Sequence, residues 1–307
     1  MVLGTPAKWI LLAGVVVGFV LPDPPVQPVE LNHVVLSVDQ ATYDAIVTSA
    51  YLRDVFANGG VQTIAAGPDE SWTGRYIVGE NLYLEVFGPQ GREGRKPGFI
   101  ALAFSTRSMG DIDRIEERLR ELAGERVHRI LRTRQVRSEV RNWFHAVSVD
   151  PPSLDRRFGA WIMESHPDNL RRLGLPADRL VARDEYLIAL RRTRGQPLPA
   201  PSRLFRDITR IDLALTEKEA NDLATLLLAA GWDGETTGVG RTRLSGRGLE
   251  LDIRVDPEPH GRLRSVEFAL AGKPESRRRV DFGERSWLMV DPDGWARWVF
   301  DTVGKDR

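Results

Sequence analysis

The hydrophobic and polar positions of the first ninety residues alternate in short runs that predict strands around one helix. Residues 31–38 (LNHVVLSV) are β-branched and alternating, which is typical of a strand. Residues 39–57 place apolar side chains at helical spacing and end at an Asn-Gly-Gly stop. Three short strand candidates follow, separated by Gly, Pro and Asp, at residues 61–66, 72–78 and 81–87. The predicted order is therefore βαβββ.

The same order recurs between about residues 98 and 169. Residues 99–106 (FIALAFST) predict a strand, and Ser108 offers an N-cap for a helix with apolar residues on one face. Further strands are predicted at residues 127–136, 143–149 and 160–165. This repetition predicts a duplicated β-rich cup with a ligand or a metal between its two halves.

A third unit follows a charged, Pro-rich connection at residues 171–202. Residues 208–215 predict a strand, and Thr216 with Glu219 forms a capping box for the helix that follows. Strand candidates complete the unit at residues 249–255, 263–269, 286–290 and 295–300. We predict a degenerate third module that packs against the cup, covers a sheet edge or the mouth of the cup, and contributes no catalytic residue.

These patterns divide the chain into four predicted parts. They are a signal-like or anchor segment with a Pro-rich linker (1–29), a two-module domain (30–170), a linker (171–202) and a C-terminal α+β domain (203–307). The end of the linker, near residues 196–202, is predicted to be protease-sensitive.

An uncharged apolar run at residues 9–21 follows Lys8 and precedes a Pro-rich stretch. Its length matches the core of a signal peptide and falls short of the roughly 20 residues that span a bilayer. We expect a protein that is exported or held at a membrane by this segment. The alternative is a cytoplasmic protein. In that case the apolar run is a buried strand, or it results from a start codon assigned too far upstream.

Charge and composition narrow the class of partner. The chain has 307 residues, with 43 basic and 43 acidic side chains and a net charge of +0. This balance argues against binding nucleic acid or a membrane surface by bulk charge. The absence of Cys excludes thiolate metal sites and a Cys nucleophile. No phosphate loop, nucleophile elbow or dinucleotide fingerprint occurs. A small-molecule ligand is the partner we expect, because the predicted cup carries a Glu motif in each half and His33.

Three short motifs carry candidate chemistry. His33 lies in LNHVVLSV, Glu85 in YLEVF and Glu164 in WIMES, where each Glu stands near the end of a predicted strand. With the paired βαβββ modules, these motifs resemble the vicinal oxygen chelate superfamily, which includes glyoxalase I, bleomycin-resistance proteins and extradiol dioxygenases. The resemblance covers about residues 30–169, and the chain as a whole looks like a bacterial glyoxalase-like family.

The resemblance implies an α+β cup that holds a divalent metal, Fe, Mn, Ni or Zn, through His33, Glu85 and Glu164. Imidazole and carboxylate suit these metals, and three protein ligands would leave positions open for a chelating substrate. The fourth ligand position falls on Ala101, which cannot bind a metal. A lyase, isomerase or dioxygenase, a metal-free binding or sequestering protein, and an exported interaction module therefore all stay open.

Four further residues are candidates for the wall of a ligand pocket. Tyr76, Trp143 and Trp161 could bind a ring-bearing ligand, and His145 could act there as a general acid or base. Core packing is the alternative for the aromatic residues, and an ordinary half-buried position is the alternative for His145. Six arginines between residues 126 and 141 predict a solvated strand face, with an acidic ligand as the alternative.

Overall fold

The computed structural model confirms the predicted fold class, an α+β protein built from paired βαβββ modules. It describes residues 26–65, 70–91, 96–136, 139–150, 157–179, 181–193, 203–259 and 262–300. Its strands assemble into two eight-stranded sheets, one from each half of the chain.

The first half follows the order expected from the sequence. Its elements are β1 (Glu30–Ser37), α1 (Gln40–Thr48), a π-helical turn (Leu52–Phe56), β2 (Val61–Ala65), β3 (Ser71–Val78), β4 (Tyr83–Phe87), β5 (Ile100–Ser105), α2 (Asp111–Ala123), a 3₁₀ turn (Gly124–Arg126), β6 (Val127–Val136), β7 (Glu139–Val149), β8 (Phe158–Ser165), α3 (Pro167–Arg172) and α4 (Arg183–Thr193). Helix α4 lies within the segment that the sequence predicts to be a connection, and α3 overlaps only its first two residues.

The first sheet joins its two modules at the centre, in the order β2-β3-β4-β1-β5-β8-β7-β6. Strands β1 and β5 are antiparallel, with His33 opposite Ala103 and Val35 opposite Ala101. An approximate two-fold axis between the modules relates His33 to Ala101 and Val35 to Ala103. It therefore maps the pair His33–Ala103 onto the pair Ala101–Val35. The duplication predicted from the sequence is therefore present in the strand register.

The second half contains eight strands, whereas the sequence predicts five there. Its elements are β9 (Phe205–Leu215), α5 (Glu217–Ala229), β10 (Asp233–Gly238), β11 (Arg241–Gly246), β12 (Leu249–Val255), β13 (Leu263–Leu270), β14 (Arg278–Asp281), β15 (Ser286–Asp291) and β16 (Trp295–Phe300). Their order, β10-β11-β12-β9-β13-β16-β15-β14, repeats that of the first sheet. The C-terminal half therefore holds a third module and a fourth one, β13–β16.

The fourth module has no helix between its first two strands. A crossover helix returns the chain so that the next strand runs in the original direction, whereas a short loop reverses it. In the first sheet β8 is accordingly parallel to β5, but β16 is antiparallel to β13. Loss of the helix has thus reversed the last three strands without changing their order in the sheet.

A segment of the first module covers part of the fourth module and of the adjoining strand β9. The Arg278 guanidinium lies 5.1 Å from the centre of the Tyr51 ring. The ring of Phe56 packs 5.8 Å from Phe205 and 5.4 Å from Phe268. Residues 51–56 therefore belong to the first module and also pack against the second sheet.

A single buried core lies between the outer faces of the two sheets, with helices α1, α2 and α5 inside it. Helix α5 of the second half contacts α2, β7 and β8 of the first. The Trp232 indole N–H of the second half donates to the carbonyl of Val29, near the start of the described chain, at 2.8 Å. The two halves therefore share their apolar interior.

Two predictions fall outside the described residues, the apolar segment 9–21 and the protease-sensitive boundary 196–202. Within the ranges that are described, no helix is long and apolar enough to cross a membrane.

Candidate functional site

The concave face of the first sheet encloses a cavity of about 890 Å³. This face carries its own apolar cluster, separate from the core behind the sheet. Eight aromatic side chains contribute to its wall, namely Trp72, Tyr76, Tyr83, Phe99, Trp143, Phe144, Trp161 and Tyr186. Helix α4 covers part of the opening with Leu187, Leu190 and Arg191.

Two buried polar residues of β1, Asn32 and His33, lie at the cavity wall. The strand register skips Asn32, which forms a β-bulge beside His33. The Asn32 amide nitrogen donates to the Ser105 hydroxyl, so its oxygen accepts from Nδ1 of His33 at 2.8 Å. The imidazole also stacks on Tyr83 with ring centres 4.8 Å apart. These contacts fix the His33 ring against the cavity wall.

A buried carboxylate, Glu85, faces the same cavity from β4. It lies opposite Val35 on β1 and Tyr76 on β3. Burial raises the pKa of Tyr83 well above its ordinary value of 10, and the nearby Glu85 charge adds to this effect. The Tyr83 phenol therefore stays neutral across the physiological range.

The structure places three of the four proposed pocket residues, Tyr76, Trp143 and Trp161, on the cavity wall. Trp143 reaches it through a bulge, because the register passes from Phe144 to Asn142 and omits Trp143. His145 points to the other face of the sheet, where its ring lies 5.7 Å from that of His166. Simple alternation along the strand places Trp143 and His145 on one face, and the bulge separates them.

Behind the sheet, His145 lies near Arg129 and α2 rather than near a ligand. Burial lowers the pKa of His145 from its ordinary value of 6.5, and the charge of Arg129 lowers it further. A general acid or base role in the cavity does not fit this position.

Glu164 also lies behind the sheet, where it binds the N-terminus of α2. Its carboxylate accepts hydrogen bonds from the Gly110 N–H at 3.0 Å, the Ile112 N–H at 3.2 Å and the Thr106 hydroxyl at 3.1 Å. The N-cap residue, Gly110, has no side chain that could accept these bonds. Burial raises the pKa of Glu164, and the hydrogen bonds oppose that effect. Glu164 therefore caps a helix and does not join His33 and Glu85.

The strand register explains why Glu164 misses the cavity. Glu85 lies opposite Val35 on β1, and the matching pair in the second module is Ala103 with Trp161. The counterpart of Glu85 is thus Trp161, three residues before Glu164. An odd shift along a strand moves a side chain to the other face.

The residues present do not fit the divalent metal site implied by the resemblance. Its four positions fall on His33, Glu85, Ala101 and Trp161, of which only the first two can bind a metal. The Trp161 ring packs edge-on against His33 at 5.8 Å. Among the described residues, no group of three or more His, Cys, Asp or Glu side chains is arranged to hold a metal ion.

Sequence reasoning missed the contribution of α4. The Arg183 guanidinium, at the start of this helix, donates to the Asn32 carbonyl at 3.3 Å and lies 5.4 Å from the Tyr186 ring centre. Leu187, Leu190 and Arg191 follow the i, i+3, i+4 spacing of one helix face, a signal that was present in the sequence.

Known structures give weak similarity to this chain, and no curated protein matches it. A hypothetical protein from Staphylococcus aureus is 10% identical with a TM-score of 0.44, over 82% of this chain and 95% of that one. A xylose isomerase-like TIM barrel/4-hydroxyphenylpyruvate dioxygenase fusion protein is 12% identical with a TM-score of 0.40, over 78% of this chain and 34% of that one. A protein named "putative dioxygenase" from Bacillus subtilis is 12% identical with a TM-score of 0.29, over 86% and 82%.

These values are too low to carry an activity from those proteins to this chain. The family model described as "Family of unknown function (DUF5829)" matches residues 31–300, nearly the whole described chain. This chain belongs to that family.

Proposed function

We propose that the first cup binds a small molecule with a ring-bearing, largely apolar body, without a metal ion held by the protein. The observation that carries this proposal is the cavity of about 890 Å³ with its aromatic wall. Ligand sites of this size, about 300–1,000 Å³, typically combine apolar walls with a few fixed polar groups.

The polar groups at the cavity wall give the ligand an orientation. His33 is held by Asn32 and by the Tyr83 ring, and Glu85 is buried beside them. A ligand with a hydrogen-bond donor at one end can place that donor at Glu85 while its rings contact Trp72 or Trp143.

A metal-dependent glyoxalase or dioxygenase is the less supported version of this function. The resemblance to the vicinal oxygen chelate superfamily supports common descent of the cup, since paired βαβββ modules are present. Ala101 and Trp161, however, stand where two further ligands would be needed. A cup that has exchanged metal ligands for apolar side chains is better suited to binding than to Lewis-acid chemistry.

Binding can be tested with N-phenyl-1-naphthylamine, a neutral aromatic probe whose fluorescence rises in apolar sites. The wild-type protein is expected to bind it saturably, with one equivalent per chain. Ala146 is buried on the cavity wall, so Ala146→Trp should fill part of the cavity and weaken binding about ten-fold. Ala41→Trp, at an exposed position on α1, is the matched control and should bind like the wild type. Unsaturable binding, or equal affinity in Ala146→Trp and wild type, would contradict the proposal.

A further inference from the structure

One cavity-lining cation is buried with no anionic partner among the residues that the structure describes. Arg191 lies on α4, is only 7% exposed, and lines the cavity together with Leu187 and Leu190. Its neighbour in sequence, Arg192, points to solvent. The helix therefore directs one of two consecutive guanidinium groups into the cavity.

Arg191 makes no hydrogen bond or ion pair within the described part of the chain. Arg262, which is similarly shielded, is by contrast paired, with its Nε 2.8 Å from Glu219. Burial lowers the pKa of Arg191, with no neighbouring charge opposing it. An arginine nevertheless keeps its proton in proteins, so a positive charge remains at the cavity wall. A buried charge without a partner is unfavourable, and an anion in the cavity would relieve this.

The charged side chains of the cavity wall have an excess of cations. Among the described lining residues, four are arginines and two are glutamates, namely Arg129, Arg132, Arg134, Arg191, Glu70 and Glu85. Arg129 is paired with Asp113 and, at 2.8 Å, with Glu116 on α2, so its charge is balanced behind the sheet. Glu70 is already paired with Arg132 at 2.9 Å. Glu85 projects from β4 in the sheet, whereas Arg191 projects from the covering helix, so the two charges enter from different walls.

Resting on the proposed function, we infer that the ligand of the first cup is an organic anion whose oxyanion group binds the Arg191 guanidinium. Carboxylate, sulfonate and phosphate share the chemistry that a guanidinium recognises, two oxygens that accept parallel N–H bonds. The apolar body of the ligand then lies against the aromatic wall of the sheet, with its anionic end toward α4.

A matched pair of probes isolates the contribution of the anionic group. Anilinonaphthalene sulfonate and N-phenyl-1-naphthylamine share one ring system, and only the first carries a negative charge. Wild-type protein is expected to bind the sulfonate about ten-fold more tightly than the neutral probe, and each should displace the other. Arg191→Met, which keeps an apolar stem, should remove this preference and leave the affinity for the neutral probe within about two-fold. Arg191→Lys should keep part of the preference, and the control Arg192→Met should behave as wild type.

The outcomes separate the two proposals. If the neutral probe binds in the cavity but the sulfonate binds no more tightly, or loses no affinity in Arg191→Met, the anion assignment is wrong and the small-molecule site stands. If neither probe binds saturably, both proposals fail. The comparison of the two probes on the wild-type protein needs no variant and can by itself overturn the anion assignment. If Arg191→Met does not fold, Arg191→Lys still tests the role of Arg191, because an unchanged preference for the sulfonate together with an unchanged affinity would contradict it.

Discussion

Substitution of Glu164 by alanine should destabilise the protein without affecting its cavity. Glu164 lies behind the first sheet and accepts bonds from the Gly110 and Ile112 N–H groups at the start of α2. Alanine removes the acceptor and leaves these donors at a helix N-terminus whose N-cap is glycine. The family resemblance implies a metal-binding role for this residue, so the substitution also distinguishes the two roles.

The expected size of the effect follows from the lost contacts. A buried donor left without a partner costs about 1–3 kcal/mol, and the carboxylate at the helix N-terminus contributes about 0.3–1 kcal/mol more. The unfavourable burial of the carboxylate, seen in its raised pKa, offsets part of this sum. We expect Glu164→Ala to lower the free energy of unfolding by about 3 kcal/mol.

Urea unfolding, followed by circular dichroism, measures this change through the midpoint at constant m-value. Glu117→Ala, an exposed glutamate on the same helix, is the control and should change the free energy of unfolding by less than about 0.5 kcal/mol. Affinity for N-phenyl-1-naphthylamine should be unchanged in both variants at low denaturant.

The pH dependence provides a second signature. Because the folded-state pKa of Glu164 is raised above 4.5, the folded protein binds this proton more tightly than the unfolded chain. Its contribution is therefore present below pH 4.5 and is lost as pH rises through the folded-state pKa. Glu164→Gln lacks this loss, so the stability advantage of wild type over Glu164→Gln should be smaller at pH 7 than at pH 4. The capping role would be refuted if Glu164→Ala unfolded at the same urea midpoint as Glu117→Ala. It would also be refuted if Glu164→Ala lost probe binding while its stability was unchanged.

Two further predictions concern the shared core and the metal positions. Ending the chain after Ser202 should give an aggregated or loosely packed product with weak near-ultraviolet circular dichroism. The reason is that Val29 and Phe56 of the first half form one core with α5 and the second sheet. Cooperative unfolding of the fragment would show that the first cup is autonomous. The paired substitutions Ala101→His and Trp161→Glu should create Zn binding measurable by titration calorimetry, since they complete a four-ligand set with His33 and Glu85; absence of binding in a folded double variant would show that the register match is wrong.

The sequence predicts the elements of the first half well because their apolar runs are bounded by clear turn residues. It misses β10, β11 and β14, whose sequences DGETTG, RTRLSG and RRVD are polar or short. Such strands form by extending a sheet that other strands have already built, so their own pattern carries little signal. The missing helix of the fourth module likewise concealed that module's relation to the other three.

The candidate site is predictable only where local alternation is regular. Glu85 reaches the cavity as the alternating pattern implies, and His33 does so because it shares a face with Val35 beyond the Asn32 bulge. His145 and Glu164 do not, since one follows a bulge and the other was matched across modules with a shift of three residues. Bulges and register are decided by pairing between strands, and a single sequence does not contain that information.

The shared cover of the fourth module has a consequence for the order in which the chain folds. Its strands are synthesised after those of the other three modules, yet they pack one face against Tyr51 and Phe56, which are synthesised well before them. Proteins usually fold from the N-terminus as they are made, so these strands meet a surface that already exists. A circular permutant that begins at Phe205 would reverse this order and expose that face throughout translation.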